Sequence, residues 1–88
     1  MPHLVLTDDD DLFRESLGLN LADEGYEVTS FGNGTETLAY LERGGRADVL
    51  LLDWRMPELT GLDVLRHLRR AGIAIPVIFL TALSDDIY

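Results

Sequence analysis

Neither cysteine nor lysine occurs anywhere in the 88 residues. Without thiols, a disulfide framework and thiolate metal sites are excluded, and an intracellular setting fits. Without lysine, the positive charge rests on seven arginines against sixteen acidic residues, giving a net charge of -9. That balance opposes nonspecific binding to nucleic acid, whose affinity comes from neutralised phosphates, so no direct nucleic-acid contact is expected of this segment. Long apolar runs are missing too. The N-terminus Met1-Pro2-His3-Leu4 has neither the basic region nor the apolar length of a signal peptide or a membrane span, which makes the cytoplasm the expected location, with no membrane contact. Low complexity and repeats are absent, and 47% hydrophobic with 26% charged residues is the composition of an ordinary globular protein. The length allows one domain, residues 1–88, with a modest buried fraction.

What is present is organised around Val49-Leu50-Leu51-Leu52-Asp53-Trp54-Arg55-Met56-Pro57. Four aliphatic residues between Asp48 and a proline-bearing turn are too few for a buried helix. They predict a strand covered on both faces, as in parallel sheets. Asp53 stands at its carboxyl end, where open α/β sheets bind ligands. It is a candidate nucleophile or metal ligand.

The rest of the chain alternates. Residues 3–7 predict a first strand, ending in Asp8 to Asp11, of which Asp10 or Asp11 caps a helix running to about Asp23. Phe13, Leu17 and Leu21 form its apolar stripe, widened by Leu12 and Leu19, and Gly25 stops it. Residues 26–31 alternate as an edge strand does, and Gly32-Asn33-Gly34 breaks them. Thr35 to Arg43 predict a short helix with Leu38 and Leu41 inward, closed by Gly44-Gly45. After the central strand, 48–52, a loop through Gly61 leads to a helix from about Leu62 to Ala71 with Leu62, Leu65 and Leu68 apolar. Pro76 opens a fourth buried strand, Val77-Ile78-Phe79-Leu80, which ends in Thr81-Ala82, and Ser84-Asp85-Asp86 reads as the start of a further helix. The order β-α-β-α-β-α-β implies parallel strands with right-handed crossovers, a doubly wound α/β protein.

Three of the four strands thus end in groups that do chemistry: Asp8 and Asp9, Asp53, and Thr81. Carboxylates gathered at adjacent strand ends repel one another unless a cation intervenes. Hard oxygen donors in that number suit Mg2+ or Mn2+. With a metal on two of the acids, the third can attack phosphorus and form an aspartyl-phosphate. Each feature also has a plainer reading. An acidic run is usually a solvated helix start, a strand-end aspartate a turn former, and a terminal threonine a β-branched strand residue. Arg66, His67, Arg69 and Arg70 are most simply cations suiting a helix C-terminus, and His3 and His67 have no metal-ligand spacing. The acidic run lacks the alternate spacing and central glycine of an EF-hand.

Together, Asp8-Asp9, the stretch Asp53 to Gly61, and Thr81-Ala82 resemble, in order and spacing, the receiver domain of two-component response regulators. The resemblance implies an incomplete flavodoxin-like, CheY-like doubly wound sheet of strand order 2-1-3-4-5, lacking the fifth strand and last helices, with the first and third strands side by side. It implies Asp53 as phosphoacceptor, and Asp8, Asp9, Asp53 and the backbone carbonyl of Arg55 as ligands of Mg2+ or Mn2+. Thr81 is then the hydroxyl that turns toward the phosphoryl group, and Ala82 the small residue that leaves it room. A sensor histidine kinase is the implied donor, and the implied role is a phosphorelay switch for an output domain, expected to be transcriptional, rather than a free-standing enzyme. A family lysine on a fifth strand has no counterpart here, so residues 1–88 are expected to be the N-terminal part of a receiver. The apolar fourth strand, left without a neighbour, is then expected to pair with a second copy in a homodimer. The alternative is a degenerate receiver that binds proteins without being phosphorylated. A phosphatase of the Asp-x-Asp type is disfavoured, because Arg55 occupies the place of its second acid.

Overall fold

The structure, a computed structural model, describes residues 1–80. Seven elements follow in the expected alternation: β1 (His3–Thr7), α1 (Asp11–Asp23), β2 (Glu27–Phe31), α2 (Gly34–Glu42), β3 (Val49–Asp53), α3 (Gly61–Arg70) and β4 (Val77–Leu80). The further helix expected at Ser84-Asp85-Asp86 lies outside the described residues. All strand pairs are parallel, and the strand order is β2-β1-β3-β4. The chain reverses direction between β1 and β3, so their carboxyl ends flank the switch point at which such sheets bind ligands.

Local chemistry sets the helix boundaries. Asp10 accepts from Phe13 N–H and caps α1, as anticipated from the acidic run. Asn33 caps α2 by accepting from Glu36 N–H at 2.8 Å. Thr60 caps α3, and Asp63 returns the bond to the Thr60 N–H in a reciprocal capping box, which starts the helix one residue earlier than its apolar periodicity suggests. Those bonds, led by the one from the Thr60 N–H, hold the Asp63 carboxyl below its usual range.

Because side chains alternate across a strand, the sheet has two distinct faces. On one, Val5, Leu50 and Leu52 are fully buried against Leu38 and Leu41 of α2 and Val64 and Leu68 of α3. On the other, α1 lies over β1 and β2, with Gly18 set against Leu6 and Val28. This second face corrects three expectations. No residue of α1 is buried: Leu12 is 78%, Leu19 69% and Phe13 46% exposed, so the four-residue stripe is not a buried seam. In β3, Leu50 and Leu52 are buried while Val49 and Leu51 are only half-buried, so the strand is sealed on one face rather than two. In β4, Ile78 is 54% exposed, so that strand is not buried throughout. The physical reason is shared. α1 packs over the β1–β2 half of its face and leaves the β3–β4 half open among the described residues.

Candidate metal centre

The site forms at the carboxyl ends of β1 and β3, where neighbouring strands in register (Leu6 beside Leu51, Thr7 beside Leu52) bring their following residues together. Asp8, Asp9 and Asp53 each place a carboxylate oxygen there, the three lying within 4.8 Å of one another. Asp8 is buried and Asp53 half-buried, while Asp9 is exposed.

Asp8 is held from several sides. Its N–H donates to the Phe31 carbonyl at 3.2 Å, and its Oδ1 accepts from Asp10 N–H at 2.9 Å. Just before it, the Thr7 and Thr37 hydroxyls meet at 2.6 Å, both fully buried. Thr37 also donates to the Asn33 carbonyl at 3.0 Å, so in the shared bond Thr7 donates and Thr37 accepts. Asp53 Oδ1 accepts from Arg55 N–H at 3.2 Å. That contact brings the Arg55 backbone beside the cluster.

The electrostatics follow from the crowding. Burial pushes the Asp53 carboxyl up to about 6, opposed by the Arg55 N–H and reinforced by Asp8 and Asp9. Asp8 is raised for the same leading reason, with Asp9 and Asp10 adding repulsion. Three carboxylates side by side, presenting only hard oxygen donors, form a set that a divalent cation of the Mg2+ or Mn2+ kind relieves. The residues present fit such an ion.

The β3–α3 loop walls the site. Trp54 donates its N–H to the Leu80 carbonyl at 3.1 Å, and its own carbonyl accepts from Gly61 N–H at 3.1 Å. Its indole, 42% exposed, meets Phe79 edge-on at 4.8 Å between ring centroids. Met56 is buried in the core and anchors the loop. Beside Asp9 the loop opens a cavity of about 520 Å³ lined by Trp54, Arg55, Met56, Pro57, Thr60 and Leu62.

Sequence reasoning named the three acids and Arg55, and the structure brings Asp8, Asp9 and Asp53 together. Thr81 and Ala82 lie outside the described residues. Two positions that shape the site escaped notice. A Cβ on Gly61 would meet the Asp53 carbonyl at 2.6 Å and Phe79 at 3.0 Å, so only glycine lets the loop return against the end of β3. Glu58 adopts a left-handed backbone, φ 69°, at a cost of about 1 kcal/mol for a residue with a Cβ. Gly61 had a sequence signal, a glycine directly after a capping threonine; Glu58 had none.

The sequence pattern of the family described as "Response regulator receiver domain" matches residues 4–88. Among curated proteins, the chain is 40% identical over 87 residues to the transcriptional regulatory protein AfsQ1 of Streptomyces coelicolor. That alignment takes in 99% of this chain and 38% of AfsQ1. It is 38% identical to the sensory transduction protein RegX3 of Mycolicibacterium smegmatis, over 99% of this chain and 37% of that protein. The chain thus spans little more than a third of these relatives. Among solved structures, the response regulator TrrA of Thermotoga maritima, in complex with Mg(2+)-BeF, superposes with a TM-score of 0.86 at 35% identity, covering 97% of this chain and 73% of TrrA. The receiver domain of the Francisella response regulator 1452 gives 0.87 at 32% identity, covering 94% of this chain and 68% of that one.

Proposed function

Because this chain belongs to the response regulator receiver domain family, we propose that it accepts a phosphoryl group on Asp53 from a sensor histidine kinase, in a reaction that depends on Mg2+ or Mn2+. The observation that carries the reading is the convergence of the Asp8, Asp9 and Asp53 carboxylates within 4.8 Å. The cation would be held by these three acids and the Arg55 carbonyl, and it supplies positive charge opposite the phosphoryl oxygens. The chain's own residues do the rest. Arg55 N–H fixes one oxygen of Asp53, leaving the other to attack phosphorus in line with the departing imidazole nitrogen of the donor. Asp8, with Oδ1 engaged by Asp10, keeps its second oxygen for the metal. Thr81 and Ala82, in this reading, receive a phosphoryl oxygen and leave space for it.

The domain is a signalling part rather than a metabolic enzyme, catalysing only its own phosphorylation. The names of its relatives support a transcriptional output in the whole protein, and a cytoplasmic setting goes with that role. No helix among the described residues is long and apolar enough to cross a membrane. The complete acid cluster weighs against a degenerate receiver that only binds proteins. Pairing of two copies along β4 belongs to the same proposal. It is supported by β4 having β3 as its one strand neighbour among the described residues and by the exposure of Ile78.

Incubation with acetyl phosphate and Mg2+ followed by intact mass tests the reading. One added phosphoryl group is expected in the native chain, and none in Asp53→Asn or when the metal is chelated. Equal phosphorylation of Asp53→Asn refutes the assignment.

A further inference from the structure

Arg14 is the sole arginine among the described residues that is not exposed, and it lies beside the acid cluster without being part of it. Its Nη1 donates to the backbone carbonyl of Asp8 at 2.7 Å, and its Nη2 to Asp11 Oδ1 at 2.8 Å. The second contact is an open pair of residues three apart on a helix, of a kind that contributes little. The first is different in kind. It ties the guanidinium, carried on α1, to the main chain of the residue that opens the acidic turn.

The opposite wall of its seat is Gly32, where an added Cβ would stand 3.3 Å from Nη1 and 3.8 Å from Cζ. Asp8 is therefore fixed at three points: its N–H by Phe31, its carbonyl by Arg14 and its Oδ1 by Asp10. A planar guanidinium makes two directed bonds from one rigid group, so it sets the angle of a turn where a flexible ammonium sets only a distance. Such stiffness matters here because the acids the turn carries repel Asp53, and the least costly escape is for the turn to swing away.

We propose that Arg14 is a positioning residue of the metal centre: seated against Gly32, it locks the β1–α1 turn so that Asp8 and Asp9 face Asp53. The inference rests on the receiver reading and extends it to a residue that touches neither metal nor phosphate. Partners that orient metal ligands from behind typically account for about 10–100-fold in metal affinity.

The test is Mg2+ titration read from the fluorescence of Trp54, the chain's single tryptophan, with circular dichroism of the metal-free protein as a check on folding. Arg14→Met is expected to weaken Mg2+ binding about tenfold, and Arg14→Lys to recover part of that loss. Gly32→Ala is expected to weaken binding a few-fold when Arg14 is present and to change nothing in the Arg14→Met background, because the seat matters only to the guanidinium. Unchanged affinity in Arg14→Met, or equal losses from Gly32→Ala in both backgrounds, overturns the positioning role. Asp9→Ala separates the two levels. Loss of Mg2+ binding there with none in Arg14→Met sinks the inference alone, whereas binding retained in both sinks the metal reading. Should Arg14→Met not fold, wild-type affinity in both Arg14→Lys and Gly32→Ala overturns the proposal.

Discussion

The two faces of one sheet have been given different work. Toward α2 and α3, Val5, Leu50 and Leu52 disappear from solvent and form the core. Toward α1, the alternate residues of the same strands end in Asp8 and Asp53, and on β4 the face stays open at Ile78. Stability is concentrated on the first face and chemistry at the end of the second. The acids occupy a rim where burial disfavours the charge of Asp8 and Asp53 while Asp9 stays exposed.

The sharpest way to break this comparison is to neutralise an acid. Asp53→Asn is expected to abolish phosphorylation while raising metal-free stability, because it removes a carboxylate the fold pushes up to about 6. Discounted for the group's contact with solvent, the gain is about 1 kcal/mol, read as a higher unfolding midpoint. A variant that loses both function and stability would show Asp53 to be structural.

Leu50→Ala, on the closed face, is expected to cost about 2–5 kcal/mol in denaturant unfolding, as for a fully buried leucine. A loss under 1 kcal/mol would mean that the α2–α3 face is loosely packed around Leu50.

The acids also dictate a pH dependence. Asp8 and Asp53 are raised in the folded state above the ordinary aspartate value of about 4. The folded protein therefore binds more protons than the unfolded one between that value and about 6. In that window the metal-free protein loses stability as pH rises, and Mg2+ affinity falls as pH drops through it. Thermal midpoints and Mg2+ titrations across the window check both signs. In Asp53→Asn the stability slope should flatten.

The smallest effect is expected from Ile78→Ala on the open face: about 1 kcal/mol or less in stability, with weaker self-association in light scattering. If this substitution instead costs as much as Leu50→Ala, the open face is covered in solution.

Much of this contrast was legible in the sequence. Apolar runs of three or four residues announced β1, β3 and β4, alternation announced β2, and the acids directly after β1 and at the end of β3 announced the rim. The run of leucines in β3 could not announce which of them is sealed, because that depends on which helices back each half of a face. For the same reason the apolar stripe of α1 did not announce its own burial: periodicity reports a surface that is able to pack, and the neighbours decide whether it does. Val64, fully buried, went unremarked, while Leu62 and Leu65, named with Leu68 as the apolar positions of that helix, are only half-buried.

The close approach at Gly61 has a consequence for how this site can vary. A saturation library of the β3–α3 loop, selected only for folding, should return glycine alone at position 61. At position 58 it should favour glycine and asparagine over the native glutamate, and at 54 and 55, where the side chains reach solvent, a broad range. The loop therefore has one invariant position, 61, while Met56 and Thr60 stay tied to the core and the helix cap. Sequence differences can then accumulate at the exposed positions without disturbing the backbone that delivers Asp53.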